Sequence, residues 1–522
     1  MFNLDALLRF INVNGDGVIQ KSEVEDFVAK QQTPSIFSNY FNSMSGDVDN
    51  DTFLNNMHNI MQKAKAENNQ EPELNFVDRE DAARFQKLCE EQESYEKSGA
   101  NMKRDENGYF PYGVNQKPLK MVNSLGEIPI GSHENIRDAR GCDITQLNLT
   151  QEQLLNLTID KTTVMTPEQK AILETYMEAA KNPGLGIRQL HEQGFTGKGV
   201  KMAIIDQPLG MHEEYKDNII GEVHDINSEE LGEMEASLHG AAVTSIAAGK
   251  NTGVAPDVGV VYYSAINASK DPEDIKVYKE KLQKVMNDYR DTPDIVDIVQ
   301  KELKAVEKKG DCITNMPYVE AINKILDENE KLPENERVSV VSISWGFNKQ
   351  APGYEELLQA IQRAKEEGVF IVSTRMREHY GFYTNGANRS PVGDIDSSEC
   401  YEAGAWWKSK PEDALDYITV NGADKDKLLL FPMDHRTVAD FKDSTSYRYE
   451  GNDGGMSWST PWVAGMYVLA KQADPSITPE KFWQYALETS SECRNNDSGN
   501  YVGRLINPQG LIQKIQENKG LD

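Results

Sequence analysis

Three side chains in this sequence have the types and surroundings that nucleophilic acyl transfer requires: Asp206, His239 and Ser457. Breaking a peptide bond this way takes a hydroxyl that attacks the carbonyl, a base that removes its proton and a carboxylate that holds the base. Asp206 closes the apolar run KMAIID (201–206), so a carboxylate is expected at the carboxyl end of a parallel strand, where α/β sites are built. His239 stands in LHGAAVTSIAAG (238–249), whose glycine and small residues suit a helix start packed tightly on a sheet. Ser457 stands in GGMSWSTPWVAGMYVLA (454–470), glycines before it and an apolar helical run after it. A serine there would occupy a helix N-terminus, where backbone N–H groups favour a developing oxyanion. Alone, each residue has an ordinary reading: a turn carboxylate, a structural imidazole, a capping hydroxyl.

A second set of residues suits a hard cation. NVNGDGVIQKSE (12–23) fits the EF-hand loop, with Asn12, Asn14 and Asp16 at positions 1, 3 and 5 and the sharp-turn Gly17 at position 6. The carbonyl of Val18 would serve position 7, and Glu23 could bind Ca2+ through both oxygens. Asn12 replaces the usual aspartate, so the loop carries less formal charge; a metal-free loop is the alternative. Helical patterns flank it in LDALLRFI and VEDFVAK. EF-hands pair, and SNYFNSMSGDVDNDTFLNNMHNI (38–60) reads as a degenerate partner without an acid at its last ligand position.

These groups need elements to position them. KMAIID (201–206), VSVVSISWG (338–346), GVFIVST (368–374) and DYITVNG (416–422) are short runs rich in β-branched residues, as in strands buried on both faces of a parallel sheet. Helical patterns such as YEELLQAIQRAKEEG (354–368) alternate with them, which predicts an α/β architecture. Residues 1–65 read as the small all-α EF-hand-like pair, 66–183 as a linker and pro-region-like segment, and 184–522 as the catalytic α/β domain. Ala139, Ile144, Leu149 and Leu154 recur in steps of five, which hints at one coil of a β-solenoid. One coil cannot bury its own face, so a loop and a short helix packed on the next domain are expected instead.

Taken together, the catalytic segments resemble the subtilisin-like serine peptidases. The order Asp206, His239, Ser457 and the interval between the first two are similar to that family's. So are the glycine-rich entry GFTGKGVKMAIID (194–206), the Gly-Val-Ala-Pro stretch at 253–256 and Gly-Met-Ser-Trp-Ser-Thr-Pro ending at Pro461. The resemblance implies a three-layer fold with a mostly parallel sheet, an Asp-His-Ser triad and endopeptidase activity on proteins or peptides. It also implies that the SISWG strand places Ser344, Trp345 and Gly346 beside substrate backbone.

Departures accompany it. Gln207-Pro208 follow Asp206 where the family has Thr-Gly or Ser-Gly, and Met456 precedes the serine in place of threonine. The family's oxyanion asparagine has no counterpart after VFIVST: counting in register from Gly368 puts Arg377 there, with Asn385 and Asn388 nearby. About 265–337 is a long, charged, mostly helical insertion. The rival readings are a pseudo-peptidase that binds peptide or partner without turnover, and a calcium module carried on a peptidase scaffold.

Composition bounds the class. In 522 residues the formal charge is −29, which repels nucleic acid and anionic membrane and welcomes cations. No run approaches the length of a membrane-spanning helix, so no membrane insertion is expected. Five widely spaced cysteines suggest neither a disulfide framework nor zinc, and no secretory leader is visible; a reducing, cytoplasmic compartment is expected. Oligomeric state is not legible.

Overall fold

The computed structural model describes residues 4–12, 18–31, 37–44, 46–49, 52–53, 56–57, 60, 74, 76–97, 120–131, 137–227, 237–404, 407, 425–441, 444–452 and 454–519. The chain divides into two units, Met1–Glu174 and Thr175–Asp522.

In the first unit, helices Leu4–Ile11 and Lys21–Ala29 flank the 12–23 loop. Val18–Ile19 pairs antiparallel with Val48–Asp49, with Ile19 opposite Val48. Ile19, Phe10, Phe27 and Phe41 form a core to which helix Arg79–Lys97 adds Phe85 and Leu88. The 139–154 segment carries the expected short helix, Gln151–Leu155, but the residues before it are more than a loop. Cys142–Asp143 pairs in parallel with Lys120–Met121, Asp143 bridges in parallel to Val164, and Arg137–Asp138 pairs in parallel with Leu157–Thr158. The chain therefore passes the same face repeatedly, and Ala139, Ile144 and Leu154 are buried between passes. The stacking partners come from 120–121 and 164, outside the five-step pattern, so the sequence shows one coil where the fold has more.

The second unit is the expected three-layer α/β arrangement. Strands β1 (Lys201–Asp206), β2 (His224–Asp225), β3 (Gly259–Ser264), β4 (Val338–Ile343) and β5 (Phe370–Ser373) form a parallel sheet in the order β5-β4-β1-β3-β2. Alternate residues of β1 bury on opposite faces. Met202 and Ile204 join the core under helices α1 (Leu238–Ala248) and α4 (Met456–Ala473). Ala203 and Ile205 join the core under helices α2 (Met316–Glu330) and α3 (Tyr354–Glu366). A strand enclosed on both sides has no polar face, which is why KMAIID and VSVVSI read as unbroken apolar runs.

A second sheet continues the domain with β6 (Tyr383–Arg389), β7 (Tyr401–Ala403), β8 (Leu428–Pro432), β9 (Ser491–Arg494) and β10 (Tyr501–Leu505), in the order β7-β6-β8-β10-β9. The strand expected at DYITVNG lies outside the described residues. The insertion after β3 is a helical hairpin, Pro272–Asp288 and Pro293–Lys309, closed at its base by pairing of Ala268–Ser269 with Cys312–Ile313.

Two features set the position of the site. β3 lies on one side of β1 and the later strand β4 on the other, so the chain changes direction at the carboxyl end of β1, the crevice where open α/β sheets bind ligands. Helices α1 and α4 also approach closely. A Cβ on Gly465 would stand 2.7 Å from Val254 Cβ and 3.3 Å from the Ala247 carbonyl. Gly465→Val should therefore force the two helices apart, lowering stability by about 1–3 kcal/mol. Thermal denaturation would show a reduced Tm; an unchanged Tm would contradict this packing.

Candidate active site

Asp206 ends β1 and is buried. Its Oδ1 accepts from the Nδ1–H of His239 at 2.7 Å and from the Gln207 backbone N–H at 2.8 Å. The carboxylate thereby fixes the imidazole tautomer and leaves Nε2 as the basic nitrogen. His239 is the second residue of α1. Ser237 caps that helix, its hydroxyl oxygen accepting from the His239 N–H at 3.0 Å.

The Gln207-Pro208 departure has a visible job. Ser237 donates its hydroxyl to Gln207 Oε1 and its backbone N–H to the Pro208 carbonyl, and Tyr262 on β3 donates to the Gln207 carbonyl at 2.5 Å. The end of β1 is thus tied to the start of α1. Gly240 allows it: a Cβ there would lie 2.6 Å from the Gln207 carbonyl oxygen and 2.6 Å from the Tyr262 hydroxyl.

Ser457 is in the first turn of α4, as expected, with Gly455 as N-cap. Its own N–H has no hydrogen-bond partner among the described residues, which is ordinary for a first helical turn and leaves a donor open. Trp458 packs against His239 with ring centroids 5.1 Å apart and planes tilted by 33°, so the serine and histidine helices meet at their N-terminal ends. The fully buried Arg448, paired with Glu450, stands over the other ring neighbourhood of Trp458 at 5.9 Å and donates to the Leu238 carbonyl. The hydroxyl of Ser457 does not donate to His239. It donates to the carbonyl of Ser344 at 3.3 Å, and Ser344 Oγ donates in return to the Ser457 carbonyl at 2.8 Å.

The reciprocal pair follows from Pro461, four residues after Ser457. Proline has no N–H, so the Ser457 carbonyl loses its helical partner, and Ser344 supplies the replacement. Ser344, Trp345 and Gly346 follow β4 directly, so the segment expected beside substrate is fastened to Ser457. Gly346 makes no backbone hydrogen bond among the described residues, which leaves one donor and one acceptor open there.

Arg377 lies over the Tyr383 ring at 5.0 Å. Arg375, the N-cap of the short helix Met376–Tyr380, packs against Gly346. Asn385 is buried on β6 with its Oδ1 accepting from the Gly386 N–H, and Asn388 lies on the same strand opposite Glu402. β5 ends at Ser373. Nearby, burial pushes the His379 imidazole down to about 4, so it is neutral near pH 7.

His212 is structural: its Nδ1 accepts from the Glu214 N–H and its Nε2 bonds the Ser446 carbonyl. The thiols of Cys312 and Cys493 are pushed up to about 12 by burial, which makes them poor nucleophiles. Of the proposed calcium ligands, Asn14 and Asp16 lie outside the described residues. Asn12 is buried, the Val18 backbone pairs as above, and Glu23 accepts from the Gln20 N–H at 2.9 Å.

Ser344→Ala would leave the Ser457 carbonyl buried without its donor, at a cost of about 1–3 kcal/mol. We expect a lower Tm together with slower reaction of Ser457 with an active-site serine reagent. Wild-type values for both would show that the Ser344 hydroxyl holds nothing in place.

Comparison with known proteins agrees with this architecture. Residues 197–507, more than half of the chain, match the model of the Subtilase family. Among solved structures, the prenylagaramide maturation protease PagA is 14% identical with a TM-score of 0.39, covering 63% of this chain and 98% of that one. A cold adapted subtilisin-like serine proteinase is 16% identical, with a TM-score of 0.35 over 60% of this chain and 89% of its own. The A-subunit of the AB5 toxin from E. coli is 12% identical, with a TM-score of 0.38 over 65% of this chain and 99% of its own. The parallel sheet, the carboxylate at the end of its central strand and the family match lead to one statement: this chain belongs to the subtilase family of serine peptidases.

Proposed function

We propose that the protein is a serine endopeptidase in which Ser457 is the nucleophile, His239 the general base and Asp206 the residue that orients it. The observation that carries this reading is the 2.7 Å Asp206–His239 hydrogen bond, with the imidazole packed against Trp458, the residue next to Ser457. A substrate strand lies along Ser344–Gly346, using the open backbone groups of Gly346. As the substrate N–H takes the Ser344 carbonyl, the Ser457 hydroxyl turns to His239 Nε2. Oγ then forms a bond to the scissile carbonyl carbon while Nε2 takes its proton. The carbonyl oxygen becomes an oxyanion facing the Ser457 N–H. Collapse expels the amine, which receives the proton from the imidazolium. Water then attacks the acyl-enzyme with the same nitrogen as base, releasing the acid and restoring the serine.

A fluorophosphonate probe should label the wild-type chain and not Ser457→Ala, and a quenched peptide library should be cleaved only by the former. The second reading, a peptide-binding pseudo-peptidase, is favoured by the Ser457 hydroxyl donating to Ser344 and by the missing asparagine. It gains if Ser457 stays unlabelled while peptide binding persists.

Calcium binding at 12–23 is proposed with it. Asn12, Asn14, Asp16, the Val18 carbonyl and Glu23 would hold the ion, all of them hard oxygen donors suited to Ca2+. Support comes from the two flanking helices and the Val18–Ile19 pairing to a second loop. Bound there, the ion would cross-link the start and end of the loop. Calorimetry should give one site in wild type, weakened at least tenfold in Glu23→Gln; equal affinity in both would remove the assignment.

A further inference from the structure

The reaction needs His239 Nε2 within reach of Ser457, although the Ser457 hydroxyl donates to Ser344 and not to the imidazole. Asp206 anchors the imidazole at Nδ1. A bond at one ring atom fixes a point and leaves the plane of the ring to be set by packing. The group packed on that plane is Trp458, with its ring centroid 5.1 Å away. Trp458 is buried, and its Nε1–H has no hydrogen-bond partner among the described residues. Its orientation therefore rests on the groups that lie against the ring.

One of those groups carries a charge. The Arg448 guanidinium lies over the Trp458 ring at 5.9 Å. It is fully buried, pairs through Nε with Glu450 and donates from Nη1 to the Leu238 carbonyl at 3.4 Å. Leu238 is the first residue of α1 and precedes His239; Trp458 follows Ser457 in the first turn of α4. A single side chain thus touches the starts of both catalytic helices. Its platform is a hairpin in which Arg436–Ala439 pairs antiparallel with Tyr447–Glu450, Val438 opposite Arg448. The Ala439 N–H pins this hairpin to α1 by donating to Ser245 Oγ at 3.1 Å. Arg448 Nη2 has no partner among the described residues, so the buried cation keeps one donor unsatisfied. A methionine would fill that volume without the penalty. The guanidinium is explained by what it holds, because a planar fork can meet a carboxylate, a carbonyl and an aromatic ring at once.

We propose that Arg448 is a positioning residue for peptide cleavage. Glu450 and the Leu238 carbonyl fix the guanidinium, the guanidinium fixes Trp458, and Trp458 holds the His239 imidazole at the angle from which Nε2 reaches Ser457 Oγ. This rests on the peptidase reading above.

The experiment uses the full chain. Removing the cation alone would strand the Glu450 carboxylate, so the test variant combines Arg448→Met with Glu450→Gln and is neutral throughout. Its Tm should stay near the wild-type value. Its kcat on a quenched peptide should fall about tenfold to a hundredfold at unchanged KM, the loss expected of a misplaced base. Labelling of Ser457 by the fluorophosphonate should slow by the same factor. Where the double variant does not fold, Arg448→Lys decides by the same two readouts, since it keeps the charge and the partner and loses the fork. A second arm repeats both measurements in Trp458→Leu. There the Arg448 and Glu450 changes should slow the enzyme by about threefold or less, because the ring through which they act is gone. Two results would overturn the proposal. One is a folded variant with wild-type kcat and labelling rate. The other is an equal loss with and without Trp458, which would make Arg448 a structural residue alone. Failure of the peptidase reading is distinguishable, because wild type itself would then resist the fluorophosphonate and cut no peptide.

Discussion

The missing N–H of Pro461 is the constraint on which the site depends. An α-helix normally satisfies the carbonyls of its first turn internally. Here it cannot, and the carbonyl of Ser457 must find a donor outside the helix. Ser344 provides it, and the Ser457 hydroxyl returns a bond to the Ser344 carbonyl. One backbone deficiency in α4 therefore locks the helix start to the end of β4. Without that lock the serine and the cleft segment would be set only by the packing of large apolar surfaces, which fixes depth better than rotation.

Asp206 and His239 are placed by a different device of the same kind. The carboxyl end of β1 and the amino end of α1 are joined through Gln207, Pro208, Ser237 and Tyr262. Two of these bonds satisfy backbone groups that neither a strand nor a helix end satisfies by itself, the Gln207 and Pro208 carbonyls, and the third joins the Ser237 and Gln207 side chains. Gly240 makes the approach sterically possible, and Gly465 does the same for the two helices further down. Both glycines are explained by contact, with no need to invoke a special backbone conformation.

Much of this was legible in the sequence, for identifiable reasons. The parallel strands were readable because burial on both faces erases alternation in KMAIID and VSVVSI. Asp206, His239 and Ser457 were readable because each lies at the end of such an element, where local pattern is strongest. Gln207 looked like a mere departure, since the partner that explains it, Ser237, is remote in the chain and carries no motif. The closeness of Arg375 to Gly346 was not readable, since the two are remote in the chain and share no motif. The stacked coils of the first unit were discounted because their partners at 120–121 and 164 do not share the five-residue pattern.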